Sequence, residues 1–114
     1  MIKPEVGREL FKHERGRLVE VIEETEREAE KSLKMARAYI SVSKIGPDEE
    51  EFKYSSGAIN LAVALVLMRY AKALKEGVES ITEEYEEQMA VVLGDFDSPK
   101  YLELLEKARE AFGV

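Results

Sequence analysis

Between Ser55 and Gly77 the chain carries a segment that is apolar around most of its circumference. On a helical wheel at about 100° per residue, Ile59, Val63, Val66, Leu67, Tyr70 and Leu74 form one broad face. Leu61, Leu65 and Met68 stand to one side of it, and Asn60, Ala64 and Ala71 form a third, small-sided strip. A helix that is apolar on most sides has to be buried on most sides. Either the rest of the 114 residues surrounds this segment, or a second copy of the chain helps to cover it.

The spacing elsewhere narrows the choice of architecture. Apolar residues recur every three or four positions, and no run alternates long enough to make a strand. Leu18, Ile22, Thr25, Ala29, Leu33, Ala36 and Ile40 form a single stripe, which predicts a long helix over about 17–44. Its Thr and Ala positions let a neighbouring helix come close. Before it, Pro4 suits a first helical turn, and Gly7 and Gly16 weaken that opening segment enough to place a break near Gly16.

Ile45-Gly46-Pro47-Asp48 ends the long helix and turns the chain. Asp48 with Glu51 has capping-box spacing, predicting a short helix over 49–54. Ser55-Ser56-Gly57 then opens the apolar helix over 57–76, and Gly77 stops it. Ser80 and Glu83 cap a third segment carrying Ile81, Tyr85, Met89 and Val92 on one face. After Gly94, Asp97-Ser98-Pro99 starts a last helix with Tyr101, Leu102, Leu105, Ala108 and Phe112 inside. The expected fold is all-α: a single domain over 1–114, a bundle of four to five helices with one long N-terminal helix and a central apolar one.

Charge constrains the partners. Lys and Arg total 17 against 24 Asp and Glu, a net charge of −7, and Glu supplies 21 of those acids. Residues 1–44 hold ten basic and nine acidic side chains, whereas residues 45–114 hold seven and fifteen. Between Glu76 and Asp97 there are eight acids and no Lys or Arg. Nucleic acid binds through Lys and Arg that displace counterions, so this balance disfavours it, with Lys3, Arg8, Lys12, Arg15 and Arg17 as the one local basic arm. The acidic segment instead suits a basic protein partner. Abundant Glu and Lys, with Asn60 and Gln88 the only amides, is the composition of a thermophile protein.

The chain has no cysteine, hence no disulfide framework and no thiolate metal site. Its start turns polar at Lys3, unlike a secretory leader, and Ala58 to Met68 is about half a membrane span. The expectation is a cytoplasmic protein that does not enter membranes.

Chemistry has few footholds. His13 is the only imidazole, and Arg8 lies five residues before it. That spacing resembles the R-x4-6-H motif of HEPN ribonucleases, compact helical domains that dimerise. The resemblance implies that Arg8 would neutralise charge on an RNA phosphodiester while His13 moves a proton. It covers six residues, and the motif stands at the N-terminus rather than in the later helices where that family has it. Glu20, Glu23 and Glu26 repeat every three residues, as do Glu83/Glu86, Glu84/Glu87 and Glu103/Glu106. Such pairs are similar to those of MazG-type nucleotide pyrophosphohydrolases, which implies Mg2+ held by carboxylates. The later Glu-x-x-Asp of that family has no counterpart, since Asp48, Asp95 and Asp97 fall in loops or caps. Lys53-Tyr54-Ser55-Ser56-Gly57 lacks the glycine pattern of a phosphate loop and reads as a cap.

No catalytic, cofactor or metal residue is therefore assigned from sequence, and both enzyme readings stand as alternatives. The leading expectation is a non-enzymatic, homo-oligomeric helical interaction protein, with Leu61, Leu65 and Met68 as the interface between two copies.

Overall fold

The computed structural model describes residues 15–78 and 81–114. Four α-helices follow one another: α1 (Arg15–Val42), α2 (Ser56–Glu76), α3 (Ile81–Gly94) and α4 (Pro99–Phe112). A 3-10 helix, Glu50–Tyr54, joins α1 to α2. Among the described residues there is no strand, so the protein is an all-helical bundle, as the spacing predicts.

α1 buries the stripe expected of it. Ile22, Thr25, Ala29 and Ala36 are buried, and Leu18, Leu33 and Ile40 are half-buried along the same line. Thr25 is accommodated because its hydroxyl donates to the Val21 carbonyl one turn back, at 2.7 Å. The described helix begins at Arg15, so the break expected near Gly16 falls at the edge of the described residues. The segment before Arg15, including the predicted turn at Pro4, lies outside the described residues.

The connection departs from the capping box read at Asp48. The 3-10 helix has Glu49 before it, without a side-chain cap. The Glu49 carboxylate instead accepts from the Gly46 backbone N–H, tying the turn to itself. Asp48 is left to pair with Arg109 of α4, at 3.1 Å. Ser55 does the capping: its hydroxyl accepts from the Ala58 N–H at 3.1 Å and donates to the Phe52 carbonyl at 2.7 Å.

α1 and α2 are antiparallel neighbours. At one end Ile40 lies against Gly57, and at the other Lys75 reaches Glu26 at 2.9 Å. Between these ends Ala29 and Ala36 of α1 are wholly covered. α2 ends in Gly77, whose φ of 74° is a left-handed conformation that costs glycine nothing. α3 meets α2 through Tyr85, which stacks on Tyr70 with ring centroids 4.1 Å apart. α4 is opened by Ser98, whose hydroxyl accepts from the Tyr101 N–H at 3.1 Å, with Pro99 at its first turn. Its Tyr101 donates to the Lys53 carbonyl, and Arg37 of α1 donates to the Phe112 carbonyl at 3.0 Å. The capping box read at Ser80 and Glu83 falls partly outside the described residues.

α2 carries the three residues expected at an interface between copies. Leu61 is 0 % exposed and Leu65 8 %, both covered by their own chain, and Met68 is half-buried against the same core. Each Leu so buried contributes about 1.5–3 kcal/mol to the single subunit. These three side chains leave little apolar surface for a second copy. Ile59 and Val63, which the wheel puts in the core, are half-buried like Met68, with Val63 packed against the core. Asn60 is also only half-buried and donates to the Ser56 carbonyl of its own helix, at 2.8 Å. By length and composition α2 is also long and apolar enough to cross a bilayer, but 67% of its most apolar window is buried in the bundle.

Two predictions follow from this packing. A Cβ on Gly57 would stand 2.7 Å from Ile40 Cγ1. Gly57→Ala should therefore lower stability by about 1–3 kcal/mol from overpacking, outweighing a gain of about 1 kcal/mol in helix propensity. A urea midpoint that stays put or rises would show that the two helices separate freely at this point. Burial also pushes the Tyr85 and Tyr101 phenols up to about 12 from an ordinary value of 10.0, because the fold favours their neutral forms. Their contribution is complete below pH 10.0 and is lost as pH rises towards about 12. Melting temperature should fall across that window, and less steeply in Tyr85→Phe.

Candidate interaction surface

The polar side chains of the bundle mostly satisfy one another. Lys53 lies 3.2 Å from Asp97, and the Tyr54 hydroxyl donates to the same carboxylate. The hydrogen bond from Tyr54 and that from Lys53 hold the Asp97 carboxyl below its usual range, while Asp97 raises the pKa of both partners. Phe96 sets its ring edge-on to Tyr54 and to Tyr101. All three polar groups are held in their ordinary neutral-pH forms, which makes the cluster a clasp between the 3-10 helix and the α3–α4 loop.

A cleft of 340 Å³ beside α3 and α4 is lined by Arg69, Glu84, Glu87, Lys100, Glu103 and Lys107, among others. Its lysines are already occupied: Lys100 by Glu87, and Lys107 by Glu103 at 2.8 Å. Those hydrogen bonds keep Glu87 and Glu103 ionised to lower pH than usual and Lys100 protonated to higher pH. Lysines neutralised in this way offer little to an anionic ligand.

Metal binding finds no frame among the described residues, where no three His, Asp or Glu converge as a metal site. Glu20 and Glu23 are exposed, Glu26 is half-buried and bonded to Lys75, and the pairs on α3 and α4 face solvent. Arg8 and His13 lie outside the described residues.

What remains is the outer side of α1, which carries a second stripe. Met35, Tyr39 and Val42 are 39 %, 43 % and 79 % exposed, a concentration of large apolar side chains on one helix face. Lys31, Met35, Ala38 and Val42 step by four, three and four, the spacing of a helix seam, and all four are exposed. Arg27 and Lys34 flank this stripe. The sequence offers Glu23 for Arg27 and Glu30 for Lys34 one turn away, but neither pair closes to a salt bridge. Among the described residues Arg27, Lys31 and Lys34 have no ion-pair partner, although Glu30 shares one shallow depression with them.

α3 carries the opposite charge on its outer side. Glu83, Glu84, Glu86 and Glu87 are exposed, and Ala90 and Leu93 follow them on the surface, Leu93 at 51 %. The sequence signal for both surfaces is a second three–four spacing outside the core stripe: 31-35-38-42 on α1 and 83-86-90-93 on α3. It is easily overlooked, because each helix already has a stronger inner stripe that accounts for its folding. Leu61, Leu65 and Met68, singled out for an interface, lie within or against the core, and none belongs to this surface.

No family model matches the chain, and no curated protein sequence or solved structure matches it.

Proposed function

We propose that the protein is a non-enzymatic helical assembly protein that associates with further copies of itself through the outer face of α1. The supporting observation is the exposed Met35, Tyr39 and Val42 stripe. A monomer that kept this face in water would leave apolar surface unburied that no part of its fold requires. Scattered exposed apolar residues are ordinary, but three on successive turns of one helix form a patch of the kind that marks interaction sites. Unpaired cations beside the stripe give the face a charge with which to select its partner. The enzyme readings lack a comparable observation: the carboxylate pairs are turned to solvent, and the described residues hold no convergent metal ligands.

Native mass tests the reading. Light scattering at micromolar to millimolar concentration should give a multiple of 13.0 kDa. Tyr39→Glu with Val42→Glu should return the mass towards 13.0 kDa while changing unfolding free energy by no more than about 0.5 kcal/mol, as for other surface positions. A single 13.0 kDa species at every concentration would overturn the proposal. So would RNA hydrolysis that disappears in His13→Ala, or pyrophosphate release from nucleotides that requires Mg2+.

A further inference from the structure

We infer that the outer face of α1 in one copy docks on the outer face of α3 in another, the two helices running parallel. The inference rests on the self-association proposed above and names the surface that each copy presents. Both faces have the same layout from N- to C-terminus, with opposite charge. On α1, Lys31 and Lys34 are followed by Ala38 and Val42; on α3, Glu83 and Glu86 are followed by Ala90 and Leu93. All eight side chains are exposed.

The spacings agree over the first three positions. Placing Glu86 beside Lys34 brings Glu83 to Lys31 and Ala90 to Ala38, and Leu93 falls one residue short of Val42. The faces span twelve residues on α1, 31–42, and eleven on α3, 83–93, about 16–18 Å of helix, so they differ in length by one residue. Two alanines at the middle of the seam let the helices approach closely. Charge complementarity favours this pairing over α1 against α1, which would bring Lys34 of one copy near Lys34 of the other. Lys34 and Glu86 have no salt-bridge partner within their own subunit among the described residues, so this one contact breaks no existing pair. Each copy carries both faces, so two copies can make the contact twice about a two-fold axis, or several can close a ring.

Charge reversal and cross-linking test it together. Lys34→Glu and Glu86→Lys should each lower the native mass to 13.0 kDa, and the double variant, which restores opposite charges, should regain the wild-type mass. Because the chain has no cysteine, single-cysteine variants report proximity directly. Ala38→Cys mixed with Ala90→Cys should form a disulfide-linked pair under mild oxidation, and neither variant alone should do so efficiently. Circular dichroism and melting temperature identify any variant that fails to fold, and the cysteine pair supplies a readout at surface alanines that the bundle does not use. Efficient linking of Ala38→Cys to itself, or unchanged mass in both charge reversals of an oligomeric wild type, would overturn this pairing and leave self-association standing. A monomeric wild type would overturn both.

Discussion

The close approach of α1 to α2 is the constraint on which the rest of the bundle depends. Ala29 and Ala36 on one side and Gly57 on the other remove the bulk that normally separates two helix axes. Cα-to-side-chain distance is thereby exchanged for backbone proximity, and a single helix shields a large part of the α2 circumference. The two 14-residue helices and the 3-10 turn can then cover what remains. Without that seam a helix carrying Leu61, Leu65, Val66, Leu67, Tyr70 and Leu74 on several sides would need more neighbours than 114 residues supply. The self-contained core follows from small residues more than from large ones.

This also explains which parts of the structure could be read from sequence. The inner stripe of α1 was legible to the residue because one partner covers one side of that helix along its length, and a single periodicity records a single partner. Helix ends were legible where chemistry is local: Ser55, Gly77 and Ser98 each act through their own turn. The orientation of α2 was not legible. Its uncovered side changes along its length, from Ser56, Ile59, Asn60 and Val63 near the start to Met68, Arg69 and Lys72 further on. A wheel averages over the helix and so merges two different exposures into one. The wheel groups Ile59 and Val63 with the core face and sets Leu61 and Leu65 to one side of it, whereas Leu61 and Leu65 are buried and Ile59 and Val63 only partly so.

Asp48 failed as a cap for a related reason. A capping box is a competition between the helix N-terminus and any stronger partner, and spacing shows only the first. Arg109 arrives from α4, 61 residues later, and takes the carboxylate, while Glu49 satisfies the turn at Gly46. The candidate surface was hidden in the opposite way. Met35, Tyr39 and Val42 are ordinary helix residues in sequence, and only their exposure in the folded chain separates them from the core.

The distribution of charge then gains a spatial meaning. Read along the chain, residues 1–44 are nearly balanced and residues 45–114 strongly acidic, an asymmetry of no consequence in an unfolded polymer. Folding spends the apolar stripes of α1 and α3 on the core and turns their remaining faces outward, so sequence asymmetry becomes two surfaces of opposite sign. Surface salt bridges within one helix are worth little, and α1 leaves Glu23–Arg27 and Glu30–Lys34 unclosed. The cations on this face are therefore not held by their own fold. Their attraction for an acidic surface costs these cations no ion pair of their own, and it is strongest where apolar side chains beside them exclude water and lower the local dielectric. Association through such a face depends on the stripe and the charges together: the stripe supplies burial, and the charges choose which buried arrangement forms.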